Sequence, residues 1–217
     1  MIKNVVFDMD GTILNTIDDL YNSVNFALAE CGYPKRSMKE VLSFVGNGVK
    51  VLIDRAMPKG YTAEEFDICF KKFMGHYNVH KNDNTCPYDG ILELMQALQA
   101  KGIKMSVVSN KFDAGVKELA EKLFTGYLPV AIGESEKVQP KPNPSGVWYA
   151  LELMGAKSEE SVYIGDSEVD FETAKNSGLT FIAVTWGFRP RELHEGLGVK
   201  YIAEKPMDIV KILEKIK

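Results

Sequence analysis

The chain has 217 residues, 45% hydrophobic and 26% charged, with 26 Lys and Arg against 30 Asp and Glu for a formal net charge of −4. Such a length admits one large domain or one domain carrying an insertion, and the composition excludes disordered, fibrous and membrane classes. Mild acidity without a dense basic run argues against nucleic acid as a partner, so an anionic substrate would need a metal or a few local cations to hold it.

Residues 2–7 are a short apolar run rich in β-branched residues, the pattern of a buried strand, and Asp8 follows where that strand should end. The run is too short for a signal peptide, and no stretch of about 18 apolar residues follows, so neither export by that route nor membrane spanning is expected. Cys31, Cys69 and Cys86 are an odd set without CxxC spacing, which argues against a disulfide framework or zinc knuckle and for a reducing, cytoplasmic setting.

From about residue 16 to 77 only helical periodicity occurs, for example Leu20, Val24, Ala27 and Leu28, then Phe66, Phe70 and Phe73. After the turn-forming stretch 82–89, apolar runs at 103–108, 129–132, 161–164 and 180–184 alternate with helical patterns at 90–100, 113–123, 144–154 and 168–177. This alternation predicts an α/β fold, a doubly wound Rossmann-like parallel sheet with helices on both faces. A strandless stretch after its first strand predicts an inserted helical domain, giving a core of residues 1–15 and 84–217 and an insertion of 16–83.

In an open parallel sheet, ligands bind beyond the carboxyl ends of the strands. After the first strand come Asp8, Met9, Asp10, Gly11 and Thr12: two carboxylates on the same side of an extended chain, then a glycine that permits a tight turn. Close carboxylates repel, so one holds a proton or both share a cation. After the second core strand, Ser109-Asn110-Lys111 reads as a hydroxyl and backbone N–H groups at a helix start, able to hold phosphate oxygens or merely to cap the helix. Lys141, between Pro140 and Pro142, is either a surface lysine or one held rigidly toward the strand ends. After the fourth strand, Gly165-Asp166-Ser167-Glu168-Val169-Asp170 places Asp166 at the strand ends, with Asp170 one helical turn on to brace it or Lys141.

Taken in order, DMDGT, Ser109-Asn110, Lys141-Pro142 and GDSEVD resemble the four motifs of the haloacid dehalogenase-like phosphohydrolase superfamily over nearly the whole chain, and the helical insertion resembles its α-helical cap. The resemblance implies that Asp8 is a nucleophile forming an aspartyl-phosphate and that Asp10 is the general acid and base. It implies Mg²⁺ held by Asp8, Asp166 and the Asp10 backbone carbonyl, with Gly11, Thr12, Ser109, Asn110 and Lys141 positioning the phosphoryl group and Asp170 supporting Lys141 or a metal-bound water. Asp10 supplies the acid that a dehalogenase lacks, which favours phosphate esters over carbon–halogen bonds.

Within that superfamily, Phe44 to Leu52, the Ser109-Asn110-Lys111 triplet, GDSEVD and Trp186-Gly187-Phe188 resemble the phosphoglycolate phosphatase group. Gly46, Asn47, Gly48 and Lys50, with Arg55, are candidate substrate contacts, although the same segment reads equally as a helix–helix turn. Trp186 is expected to pack its loop against the core. His76 and His80 have i, i+4 spacing but no neighbouring third metal ligand. The expected partner is a small phosphorylated metabolite, not nucleic acid or membrane, for a monomer or homodimer whose insertion closes by hinges near 14–16 and 82–87. A sugar phosphomutase, a pyrophosphatase and a non-catalytic binding module on the same fold are the alternatives.

Overall fold

In the computed structural model, which describes residues 1–216, the apolar run after the N-terminus forms β1 (Asn4–Phe7) at the centre of the sheet. Val5 and Phe7 enter one hydrophobic cluster and Val6 the other, so both faces of the strand are covered. That is why it reads as a continuous apolar run rather than an alternating one. β2 (Leu14–Asn15) leads into helices α1 (Ile17–Glu30), α2 (Met38–Phe44), α3 (Gly48–Ala56) and α4 (Ala63–His80). The chain returns through β3 (Cys86–Pro87), which pairs with β2, and continues as α5 (Ile91–Ala100), β4 (Lys104–Phe112), α6 (Asp113–Leu123), β5 (Val130–Glu134), α7 (Ser145–Met154), β6 (Ser161–Gly165) and α8 (Glu168–Ser177). It ends with β7 (Thr180–Val184), α9 (Arg191–Gly196), β8 (Tyr201–Ala203) and α10 (Asp208–Lys215).

The main sheet has the order β5-β4-β1-β6-β7-β8, and every pairing given for its strands is parallel. This is the doubly wound α/β fold expected from the alternating pattern. Register sets Phe7 level with Val107 of β4 and Ile164 of β6, so the residues that follow in all three strands emerge side by side. Two features depart from the expected elements. β8 and the helices beside it lie beyond the last expected strand, because a three-residue edge strand is too short to show a period. β4 continues through Ser109, Asn110 and Lys111 to Phe112, paired with β5 across a register irregularity, so this triplet is strand end rather than helix start.

The chain divides into two compact units, Met1–Leu14 with Pro87–Lys217 and Asn15–Cys86. The helical unit thus begins one residue before and ends three residues after the 16–83 expected. Within it, capping boxes at Ser37/Glu40 and Thr62/Glu65 start α2 and α4. Asn47 precedes α3, with Gly46 and Gly48 at φ +120° and +81°, in the left-handed region that favours glycine. Lys50 is exposed in the first turn of α3, whereas Arg55 donates to the Phe44 carbonyl at the end of α2. Asp19, buried in the first turn of α1, accepts from the backbone N–H and side chain of both Asn84 and Thr85. His76 lies 3.0 Å from Ser23 Oγ and stacks on Phe26, and His80 pairs with Asp83. Among the described residues no helix is long and apolar enough to cross a membrane.

One buried group makes an acid-sensitive contribution to the stability of the α/β unit. His194 of α9 is fully buried, and neither ring nitrogen has a well-aligned hydrogen-bond partner among the described residues. Burial pushes its proton affinity below the ordinary imidazole value, against a contact with the Val184 backbone that favours the proton. The unfolded chain therefore binds the proton first. The stability this neutral ring contributes is present above about pH 6.5, the unfolded value, and is lost as pH falls through the lower folded value. Between pH 7.5 and 5, the stability of wild type relative to His194→Leu in urea unfolding should fall as pH falls, because the raised Asp8 and Asp166 carboxyls are common to both proteins and cancel in the comparison; parallel pH profiles would remove His194 as the cause.

Candidate active site

Asp8 leaves the end of β1 with its N–H bonded to the Ile164 carbonyl, 2.8 Å away, and its side chain is buried at the strand ends. The loop after it folds back at once: the N–H groups of Thr12, Ile13 and Leu14 all point at the Met9 carbonyl, and Gly11 N–H reaches the Leu14 carbonyl. Gly11 takes φ +92° in this turn, and Thr12 Oγ1 donates to Asp8 Oδ2 at 3.3 Å. Trp186 packs against the larger core cluster and donates from Nε1 to the Thr12 carbonyl at 2.9 Å, so it braces the loop.

Lys141 is buried, and its ammonium lies 2.5 Å from Asp8 Oδ1 and 2.6 Å from Asp170 Oδ1. It also donates to the phenol oxygen of Tyr163, 3.1 Å away. The loop that carries it, whose Lys141–Pro142 peptide is cis, is gripped by one side-chain amide. Asn110 Oδ1 accepts from Lys141 N–H at 2.6 Å, while its Nδ2 donates to the Lys141 carbonyl. Asp170 divides its oxygens: Oδ1 meets Lys141 and the Tyr163 hydroxyl, and Oδ2 accepts from Ser167 N–H and Oγ in the capping box that starts α8.

Asp166 is 1% exposed, and its Oδ2 accepts from Phe188 N–H at 2.6 Å. Its loop sits against those of Gly11 and Gly187. A Cβ on Gly187 would lie 2.2 Å from the Gly11 carbonyl and 2.4 Å from Asp166 Cβ, and one on Gly11 would lie 2.5 Å from Asp166 Oδ2. Gly165 is equally constrained by Asp170, whose Cβ would be 2.4 Å away.

One oxygen from each of Asp8, Asp166 and Asp170 lies within 4.8 Å of the others. Three buried acids face one buried ammonium here. Burial and the Asp170 charge push the Asp8 carboxyl up to about 7 despite the opposing pull of Lys141. Asp166 is raised well above the ordinary carboxylate range by burial, then by Asp170 and Asp8. For Lys141, burial works against the charge, but Asp170 and Asp8 outweigh it and hold the proton well above the ordinary value. A hard oxygen-only donor set with surplus negative charge fits a hard divalent cation and not a nitrogen- or sulfur-seeking metal.

The fold thus brings Asp8, Gly11, Thr12, Asn110, Lys141, Asp166 and Asp170 to one place. Ser109, also buried, accepts from Lys111 N–H. The Asp10 carboxylate lies outside the three-acid cluster, 3.1 Å from the ammonium of Lys111. Gly46, Asn47, Gly48 and Lys50 belong to the other unit. Sequence reasoning missed Tyr163, Lys111 as a partner of Asp10, and the Asn110 side chain as the clasp of Lys141. The only signal for Tyr163 was that a tyrosine inside a fully buried strand needs a partner for its hydroxyl.

A family model for haloacid dehalogenase-like hydrolases matches residues 5–184. The chain is 31% identical over 219 residues to the phosphoglycolate phosphatase of Thiobacillus denitrificans, spanning 97% of this chain and 96% of the relative. It is 29% identical over 214 residues to that of Aquifex aeolicus, spanning 98% and 97%. Its fold is similar to a crystal structure from Lactobacillus delbrueckii subsp. bulgaricus, described provisionally as a phosphoglycolate phosphatase, with a TM-score of 0.92, 34% identity, and coverage of 99% of this chain and 98% of that one.

The close approach of Gly187 to the Gly11 carbonyl and the Asp166 side chain makes a specific demand on stability. Gly187→Ala should cost about 2–3 kcal/mol, because neither the Gly11 carbonyl nor the Asp166 side chain, whose Oδ2 is tied to Phe188 N–H, can move aside cheaply. Gly75→Ala, at an exposed site inside α4 with no atom within 4 Å of the new Cβ, should instead stabilise by about 0.5–1 kcal/mol. Thermal melts of the two variants should move in opposite directions; a Gly187→Ala melt equal to wild type would contradict the packing described.

Proposed function

The chain belongs to the haloacid dehalogenase-like hydrolase family, and from that premise we propose a Mg²⁺-dependent phosphatase of small phosphorylated metabolites, phosphoglycolate first, working through an aspartyl-phosphate on Asp8. The observation that carries the reading is the buried contact of Lys141 with both Asp8 and Asp170 while Asp10 stays outside that cluster. A nucleophile and a general acid must differ in environment, and these two carboxylates do. The phosphoglycolate phosphatases among its relatives support the choice of substrate.

A carboxylate oxygen of Asp8 attacks phosphorus while the bond to the leaving alcohol breaks, and Asp10 gives that oxygen its proton. Asp10, now ionised, removes a proton from water. The water oxygen attacks the phosphorus of the acyl phosphate, releasing inorganic phosphate and restoring the Asp8 carboxylate. Lys141, fixed by Asp170, Tyr163 and Asn110, offsets charge on the phosphoryl oxygens, and Thr12 and Ser109 supply hydroxyls beside them. Mg²⁺ held by Asp8, Asp166 and the Asp10 carbonyl would supply further charge neutralisation on the phosphoryl group. In the helical unit, Gly46, Asn47, Gly48 and Lys50 are proposed to contact the remainder of a small substrate. The setting proposed is the cytoplasm.

Asp8→Asn should reduce phosphate release from phosphoglycolate by on the order of 10³-fold or more with the thermal melt preserved. Retention of wild-type turnover would sink the nucleophile assignment. Mg²⁺ at 100 times its dissociation constant should add about 2.7 kcal/mol, a rise of roughly 5–10 °C in melting temperature for a chain of this size. Asp166→Asn should abolish that rise; an equal rise in the variant would remove Asp166 from the metal site.

A further inference from the structure

The site holds a second buried cation that the proposed mechanism leaves unused. The Lys111 side chain is 7% exposed, and its ammonium lies 3.1 Å from Asp10 Oδ1. Its placement is built into the fold. Lys111 is a residue of β4, and its carbonyl lies so near Gly133 of β5 that a Cβ there would approach to 2.5 Å. Its stem runs beside Gly115 of α6, where an added Cβ would sit 3.5 Å from Lys111 Cδ. The ammonium is therefore carried on a rigid strand end beside the residue assigned to protonate the leaving oxygen.

Resting on the phosphatase reading, we infer that Lys111 is a specificity residue: it binds a carboxylate on the carbon next to the leaving oxygen, selecting phosphate monoesters of α-hydroxy acids over neutral ones. The argument is one of reach. A general acid must stand about 3 Å from the oxygen it protonates. In an α-hydroxy acid ester a carboxylate oxygen lies roughly 3 Å from that same oxygen across two carbons. With Lys111 Nζ 3.1 Å from Asp10 Oδ1, the three contacts close into one small ring of atoms. An ammonium has three donors, so Asp10 and a substrate carboxylate can share it. Lys141 is placed for a different task, within 2.6 Å of both Asp8 and Asp170. A charge-assisted contact in so buried a setting discriminates strongly against an analogue that lacks the anion.

The test compares 2-phosphoglycolate with ethyl phosphate, whose leaving alcohol has the same two carbons and no charge. The quantity read is the ratio of kcat/KM for the two esters in the full-length protein with Mg²⁺. Lys111→Met should lower that ratio by about 30-fold or more, chiefly through KM for 2-phosphoglycolate, and Lys111→Arg should recover most of it. Should Lys111→Met turn over too slowly, the ratio of dissociation constants for the two esters, measured calorimetrically in an Asp8→Asn background, carries the same information. A ratio within twofold of wild type in Lys111→Met would overturn the inference while leaving the phosphatase reading intact, because Lys111 would then act on Asp10 alone. Failure of wild type to hydrolyse either ester would bring down both.

Discussion

One ammonium organises this molecule's chemistry. Lys141 contacts a carboxylate at the end of β1, another in the first turn of α8 and a phenol from β6, while its own backbone is held by an amide at the end of β4. Three strands and a helix thus converge on a single charge. Removing the ammonium would leave the carboxylates of Asp8 and Asp170 buried and uncompensated, at a cost of several kcal/mol. The parallel register that sets Phe7 level with Val107 and Ile164 therefore has a chemical counterpart, since any slip would separate the acids from their cation.

Around that charge the carboxylate oxygens have separate duties. Asp170 gives one oxygen to Lys141 and Tyr163 and the other to its own helix cap, and Asp166 commits Oδ2 to a backbone N–H of the loop after β7. Such fixed dipoles and charges need no rearrangement when a phosphoryl group gains charge, which is the physical content of preorganisation. The glycines at 11, 165 and 187 belong to the same arrangement: each lets one loop approach an acid more closely than any side chain allows.

What the sequence made legible was local. Asp8, Asp10, Gly11 and Thr12 are adjacent, and the i, i+4 spacing of Asp166 and Asp170 carries its own geometry, so strand-then-turn reasoning reached them. Alternating strand and helix patterns gave the doubly wound sheet for the same reason. What escaped depends on partners distant in the chain. Tyr163 looks like any aromatic in a core strand until Lys141 and Asp170 are beside it, and Asn110 acts on a backbone 31 positions away. Lys111 reads as the start of a helix because nothing local shows that β4 persists to Phe112. β8 and its helix were missed because three residues on a sheet edge carry no usable period.

The short ribbon of β2 and β3 has a consequence for how such a protein can change over generations. It brings Asn15 and Cys86, the first and last residues of the helical unit, onto neighbouring strands, and Asp19 fastens the returning chain from inside that unit. To the α/β unit, the whole insertion is equivalent to a tight turn, with little extra closure entropy to overcome. Gain, loss or replacement of the insert would leave strand order and the buried charges untouched, so the helical unit can be inherited separately from the acids and the ammonium gathered at the strand ends.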